Sequence, residues 1–114
     1  MPVTNVGNAT QAATIGTEHT LQDVALAGVY VFTVDMFNLA LGDIVELRVY
    51  QIVRTGGTRR VCYEQSFSGV QPTDDMIKKA PPIDNDLTDA GSLRFTLKQT
   101  AGTGRNFDWK VNAL

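Results

Sequence analysis

The side chains of this chain best suited to metal chemistry are the carboxylates of one acidic loop, Asp84, Asp86 and Asp89. Their oxygen density is typical of a calcium site, and Asp74 and Asp75 could join them across the fold. However, the glycine and the terminal glutamate of an EF-hand calcium loop are absent. An ordinary turn, in which Asp and Asn side chains bond their own backbone, is the favoured alternative. We therefore expect no bound metal and no other cofactor.

The chain has a single histidine, His19, and a single cysteine, Cys62. This count excludes a metal site built from clustered Cys and His ligands, and it excludes an internal disulfide. Arg59 and Arg60 precede Cys62 closely enough to lower the pKa of its thiol. A lone cysteine more often behaves as a small hydrophobic residue, and we expect that role here.

Catalytic arrangements are also missing from the order of residues. Acid–base catalysis needs two carboxylates, or a histidine with a partner, in one pocket. Asp43 and Glu46 are three residues apart on a predicted strand, which places them on opposite faces. The glycine-rich segment 100–105 lies between two predicted strands and lacks the following helix that holds a phosphate. We therefore predict that the protein is not an enzyme.

Residues 43–54 alternate with a period of two, which predicts a strand with one buried face. The inward row is Val45, Leu47, Val49 and Val53. The outward row includes three large side chains, those of Ile44, Tyr50 and Ile52. An apolar row of this kind usually marks contact with a partner. Residues 55–58, Thr-Gly-Gly-Thr, predict a turn into a second strand over 58–67.

Further strands are predicted at 19–26, 28–35 and 93–98, and near the C-terminus at 107–111. About seven short strands without a convincing helical period predict an all-β fold, an antiparallel β-sandwich of the jelly-roll type. A partly closed barrel is the second choice. The predicted core is Val29 or Tyr30, with Val31, Phe32, Val45, Leu47, Val49, Val61, Tyr63, Phe67, Leu93, Phe95, Leu97, Phe107, Trp109 and Val111.

The N-terminal segment differs in composition from the rest of the chain. Residues 1–18 are mostly small and polar, with Val3, Val6 and Ile15 as isolated apolar residues. This is too little apolar surface to offset the entropy of ordering, so we predict a flexible arm over 1–18 and a β-sandwich domain over 19–114. Such an arm can become ordered on a neighbouring subunit. Its three apolar residues join Ile44, Tyr50 and Ile52 in the predicted partner interface.

Charge and hydropathy exclude two classes of partner. The ten basic and twelve acidic residues give a net charge of −2 and are spread along the chain, so the basic footprint of a nucleic-acid-binding protein is missing. The apolar runs, such as 29–32, are far shorter than the roughly 20 residues of a membrane span. The first residues also lack the features of a secretory signal, which predicts synthesis in a cytoplasm.

Four phrases of the sequence resemble small structural proteins encoded in the head-gene region of tailed bacteriophages. They lie at 28–35, 38–50, 69–75 and 95–109, and the resemblance covers roughly residues 24–114. It implies a β-sandwich, often a jelly roll, that attaches to the outside of the capsid as a decoration or cement protein. It supplies no site residues.

This resemblance leads to the expected function, a virion structural protein that bridges major capsid subunits and stabilises the phage head. We expect a homo-oligomer, a trimer rather than a dimer, on the capsid surface. The alternative is a carbohydrate-binding or other adhesion module in the tail or neck, with Tyr50 or Trp109 as the exposed aromatic residue. Trp109 is in register with Phe107 and Val111, which favours a core position.

Overall fold

The computed structural model of the protein describes residues 3–114, and the predicted all-β class is confirmed. Within these residues the chain forms strands and no helices, and two antiparallel sheets pack together as a β-sandwich. The strands are β1 (Thr4–Ala12), β2 (Glu18–Val24), β3 (Gly28–Asp35), β4 (Ile44–Gln51), β5 (Arg60–Ser68), β6 (Ile77–Lys79), β7 (Ile83–Asn85), β8 (Leu93–Ala101) and β9 (Asn106–Ala113).

The first sheet has the order β1-β9-β3-β6, and β7 also pairs with β3; the second has the order β2-β8-β4-β5. The predicted hairpin is present, since β4 pairs with β5. β6 pairs with residues 33–35 of β3 and β7 with residues 28–30, so these two short strands lie end to end along β3. Pro81 and Pro82 lie between them and cannot donate backbone hydrogen bonds, which interrupts this edge of the sheet.

The core lies between the sheets and consists of the inward rows of the central strands. Val45, Leu47 and Val49 are buried, as the alternation in β4 predicts. Across the core the rings of Phe32 and Phe95 lie 5.3 Å apart, centroid to centroid, at an angle of 54°. Tilted aromatic pairs of this kind contribute beyond the area that they bury.

Several positions that the sequence analysis placed inward are exposed or only half-buried, and the half-buried ones include Tyr63 and Phe67. Val61 is exposed, because a register shift in the β4–β5 pairing places it opposite Tyr50 on the outer face. Val53 is exposed because β4 ends before it, at Gln51. Val31 is only half-buried. The alternation did not identify five buried side chains, two of them in β2 and β3 and three in connections: Val24, Val34, Met36, Leu39 and Ala80.

The N-terminal segment is more ordered than the flexible arm predicted for residues 1–18. Strand β1 pairs with β9 along its whole length, from Thr4 opposite Ala113 to Ala12 opposite Asn106, with a register shift after Asn5. Backbone hydrogen bonding to a sheet edge satisfies the polar groups of a segment that lacks apolar side chains. Met1 and Pro2, which belong to the predicted arm, lie outside the described residues.

One charged side chain points into the sandwich from an edge strand. The ammonium group of Lys78 in β6 lies 5.3 Å from the centroid of the Phe67 ring and 3.0 Å from a carboxylate oxygen of Asp75. A cation over an aromatic face is attracted by the ring quadrupole. An inward charge also makes a strand a poor template for pairing with another strand.

Candidate interaction surface

Four connections meet at one end of the sandwich, which we call the loop end. They comprise residues 13–17, 36–43, 69–76 and 102–105. The antiparallel pairings bring them together, because β1 and β3 both finish beside the first residues of β9, and β8 finishes beside the first residues of β4.

The loop end carries several exposed large apolar side chains, and the opposite end also exposes Leu26 and Val53. Leu41 is 91% exposed, Val70 70% and Phe37 68%. Ile15 and Ile44 are partly exposed at the same end. Large apolar side chains exposed together at one end of a domain are a common feature of surfaces that contact another molecule. The loop end is therefore the best candidate for an interaction surface.

A buried carboxylate holds these loops in place. Asp43 is 1% exposed and accepts hydrogen bonds from the backbone N–H of Ala40 at 3.0 Å, the backbone N–H of Thr103 at 3.1 Å and Nε of Arg105 at 2.7 Å. Gly102 has a φ of 90°, and a Cβ at this position would collide with the Asp43 carboxylate. Only glycine permits this backbone conformation and this close approach without strain.

The charge of Asp43 is compensated within the loop end. Burial by itself raises the pKa of this carboxyl group, but the hydrogen bonds from Arg105, Ala40 and Thr103 outweigh burial and lower the pKa below its ordinary value. Asp43 is therefore ionised at neutral pH.

Backbone hydrogen bonds join the remaining loops. The N–H of Met36 donates to the carbonyl of Met76 at 2.9 Å, and the N–H of Gly69 donates to the carbonyl of Asp43 at 3.0 Å. The connection that carries Phe37 and the connection that carries Val70 are thus tied together.

Gln99, a fully buried residue of β8, forms hydrogen bonds with the connections 13–17 and 102–105. Its Nε2 donates to the carbonyl of Thr103 at 2.7 Å, and its Oε1 accepts from the N–H of Arg105 at 3.0 Å. Its backbone carbonyl accepts from the N–H of Gly16 at 2.8 Å. Hydrogen bonds therefore join all four connections into one platform. They hold the backbone segments that carry the exposed apolar side chains.

The predicted row of Ile44, Tyr50 and Ile52 is not one exposed apolar surface. Ile52 is 8% exposed, and the turn that follows it covers its side chain, with Gly57 packed close to Cγ2. Tyr50 donates its hydroxyl to Glu18 at 2.5 Å and belongs to a polar network. Ile44 remains partly exposed, at the loop end. The alternation predicted on which face of the strand each residue lies. It did not predict that the β4–β5 connection folds back over Ile52.

The apolar residues of the predicted arm separate. Ile15 lies at the loop end, whereas Val3 and Val6 are exposed towards the opposite end, where β1 starts beside Ala113. The sequence analysis did not identify Phe37, Leu41 and Val70, because these residues lie in irregular connections, where no periodicity shows which way a side chain points. The available signal was the presence of large apolar residues between turn-forming ones.

A polar groove with a volume of about 510 Å³ lies on the outer face of the second sheet. Glu18, at its floor, accepts hydrogen bonds from Tyr50 and from Thr96, the latter at 2.7 Å. Burial raises the pKa of Glu18, but these bonds and the charges of Arg48 and Lys98 outweigh it and lower the pKa. The groove is lined by Glu18, Thr20, Tyr50, Thr58, Arg59, Arg94 and Thr96.

The carboxylates of the acidic loop do not converge. Among residues 3–114, no three His, Cys, Asp or Glu side chains are arranged to hold a metal ion. Asp89 instead accepts a hydrogen bond from the N–H of Gly56 at 2.9 Å. Asp74 and Asp75 belong to the loop end, at the opposite end of the sandwich from residues 86–89.

The other residues considered for chemistry in the sequence analysis are not grouped into a catalytic arrangement among the described residues. Cys62 is exposed on β5, and partial burial of its thiol raises the pKa, so the neighbouring arginines do not activate it. His19 accepts a hydrogen bond from the N–H of Thr14 at 3.1 Å. Asp43 and Glu46 lie apart, since Glu46 pairs with Arg48 on the outer face. Trp109 is buried, as its register with Phe107 and Val111 predicted.

Within the described residues, no helix has the length and apolar character needed to cross a membrane. Comparisons of the chain with protein-family models, with curated proteins and with solved structures found no match.

Proposed function

We propose that the protein is a virion structural protein, a capsid decoration or cement protein that docks on major capsid subunits through its loop end. The observation that carries this proposal is the exposure of Phe37, Leu41 and Val70 on connections that Asp43 holds in place. An apolar surface on a fixed platform fits stable docking onto another subunit better than it fits turnover of a small substrate.

The energetics of such a platform suit a cement protein. Full burial of a large apolar side chain contributes about 1.5–3 kcal/mol. Because the loops are already fixed, docking costs little additional ordering entropy. Contacts that exist only in the assembled shell shift the equilibrium towards the intact particle by mass action. A small contact repeated around the shell therefore stabilises the whole head.

We also infer a jelly-roll topology from the strand orders. When β6 and β7 are counted as one interrupted strand, the sandwich has two four-stranded sheets, and most consecutive strands change sheet. This arrangement fits two interleaved Greek keys, as in jelly rolls. The topology supports the resemblance to phage head proteins, in which this fold is common.

The proposal includes self-association and location. The chain forms a homo-oligomer, with a trimer favoured, at a symmetry axis on the capsid surface after synthesis in the host cytoplasm. Val3 and Val6 are exposed away from the loop end and remain available for a neighbouring subunit. Closed symmetry with repeated contacts is the usual form of such assemblies.

The test is binding to heads of the encoding virus that lack the protein. A Phe37→Ser/Leu41→Ser variant should lose at least about tenfold in affinity in a sedimentation assay, because two docking side chains lose their apolar surface. Val53→Ser is the matched control, since Val53 is 88% exposed and lies at the opposite end. It should bind as the wild type does.

Circular dichroism and urea unfolding of both variants establish that the fold is retained. Equal occupancy of heads by the wild type and the double variant would refute the docking role of the loop end. Binding of the wild type to tails and not to heads would refute the decoration function itself.

A further inference from the structure

We propose that the polar groove on the second sheet binds a neutral saccharide. This function goes beyond capsid decoration and does not depend on it. The groove volume of about 510 Å³ lies within the usual range of small-molecule sites, roughly 300–1,000 Å³. Its polar lining selects a ligand that is rich in hydrogen-bonding groups.

One wall of the groove is a loop that folds back over the sheet. The β4–β5 connection covers Ile52 and places Thr58 and Arg59 at the groove. Arg59 is held there by a hydrogen bond from its Nη1 to the carbonyl of Gly91 at 3.2 Å. Gly91 has a φ of 66°, a backbone conformation that favours glycine. The groove therefore has a fixed wall in addition to its floor.

The floor presents the face of an aromatic ring. Tyr50 lies on β4 and its hydroxyl reaches Glu18 on β2, although β8 lies between these strands. A side chain that lines the groove and crosses a neighbouring strand lies along the sheet surface, which places its ring at the floor of the groove. A tyrosine in this position offers an apolar surface with a polar tip, which matches the C–H face and the hydroxyl groups of a sugar ring.

Two of the three charged side chains that line the groove have an ion-pair partner. Arg94 forms a two-point ion pair with Asp23, at 2.7 and 3.0 Å, and Glu18 faces Arg48 at 3.4 Å. Pairing neutralises Arg94 and Glu18, so the lining has no concentrated charge of one sign, and the Arg59 guanidinium remains to donate hydrogen bonds to a ligand.

The lining offers both kinds of hydrogen-bonding group. The Glu18 carboxylate accepts, the Arg59 guanidinium donates, and the hydroxyls of Thr20 and Thr58 do both. A neutral saccharide has hydroxyl groups that donate and accept in the same way. This chemistry, beside an aromatic ring, suits the hydroxyl groups and the C–H face of a sugar.

The test is an NMR titration of the ¹⁵N-labelled full chain. Maltotriose, lactose and diacetylchitobiose are added separately, each to a concentration of about 50 mM. At least one sugar should give saturable shifts confined to the groove, with a dissociation constant of about 1 mM, typical of weak ligands. Amides around Lys79, on the first sheet, serve as the internal reference and should not shift.

Two substitutions at Tyr50 separate the ring from the hydroxyl. Tyr50→Ala should weaken binding at least about tenfold, whereas Tyr50→Phe, which keeps the ring, should stay within about threefold of the wild type. If Tyr50→Ala fails to fold, Arg59→Ala on the loop wall replaces it and should also weaken binding. Lys79→Ala should have no effect.

Three results would overturn the proposal. They are the absence of a saturable shift with all three sugars, unchanged affinity in the folded groove variants, and tighter binding of glucuronate than of the neutral sugars. Because none of these measurements involves capsids, their failure leaves the decoration function unaffected.

Discussion

At the scale of single residues, the loop end depends on a charged side chain, Asp43, in a buried position. Asp43 accepts hydrogen bonds from two backbone N–H groups and from Arg105. An apolar side chain would leave these donors buried without acceptors, which costs free energy for each one. A carboxylate can satisfy all of them because it has two acceptor oxygens.

We expect Asp43→Ala to lower the free energy of unfolding by about 2–3 kcal/mol, since it leaves backbone donors and a partly exposed arginine without an acceptor. Asp74→Ala is the matched control, because Asp74 is an exposed carboxylate in the same end of the molecule. Its effect should remain within about 0.5 kcal/mol. Urea unfolding measures both, and similar values for the two variants would contradict the role assigned to Asp43.

The same carboxylate predicts a dependence of stability on pH. The pKa of Asp43 is lowered in the folded protein, so the stabilisation is fully present above the ordinary carboxyl pKa and is lost as pH falls through the folded value. The stability difference between wild type and Asp43→Asn should therefore be largest near neutrality and shrink below about pH 4. Urea unfolding across this range measures it; a difference that does not change with pH would disprove the linkage.

Sequence patterns predicted single residues well only inside regular strands. Trp109 was placed in the core because its neighbours in the row are apolar, and it is buried. Ile52 was placed on an exposed face, but the turn after β4 covers it. The direction of a side chain follows from local geometry, whereas its burial depends on what packs over it from elsewhere in the chain.

At the scale of elements, the central strands and the edge strands of the second sheet were predictable, and the edges of the first sheet were not. The strands β3, β4, β8 and β9 have rows of large apolar side chains because both of their neighbours and the opposite sheet surround them. The edge strand β1 has no such row and is held by backbone pairing with β9. Composition therefore predicted a flexible arm where the structure has a strand.

This arrangement predicts the effect of removing β1. Deletion of residues 2–12 should leave a folded sandwich that is less stable by about 1–3 kcal/mol, since β9 loses one hydrogen-bonded neighbour and Trp109 loses cover. The fluorescence emission of Trp109 should shift to longer wavelength. Val3→Ser/Val6→Ser keeps the backbone of β1 and is the control, with an emission spectrum like that of the wild type. Unchanged stability and emission in the truncated chain would contradict this account of β1.

At the scale of the whole molecule, the proposed docking surface and the groove lie on different parts of the sandwich. Hydrogen bonds between the four connections fix the loop end, and its apolar side chains point into solvent. The groove lies on a sheet face. A molecule that docks by one end leaves its faces accessible, so capsid binding and saccharide binding are compatible.

The whole-molecule consequence is a prediction about particle stability. Heads saturated with the wild-type chain should release their DNA at a higher temperature than heads without it, because the bound state is stabilised by mass action. Heads incubated with Phe37→Ser/Leu41→Ser should behave like bare heads. A fluorescent DNA dye in a temperature ramp measures the release, and identical release temperatures in all samples would exclude a cementing role.

The interrupted edge formed by β6 and β7 matters most when many copies are held close together. A long regular edge strand on a crowded surface would invite strand addition from neighbouring copies and the growth of fibres. Pro81 and Pro82 remove backbone donors from this edge, and Lys78 would carry its charge into any added sheet. Copies of the protein can therefore be concentrated on a lattice without polymerising along this edge, and their spacing is left to the surface on which they dock.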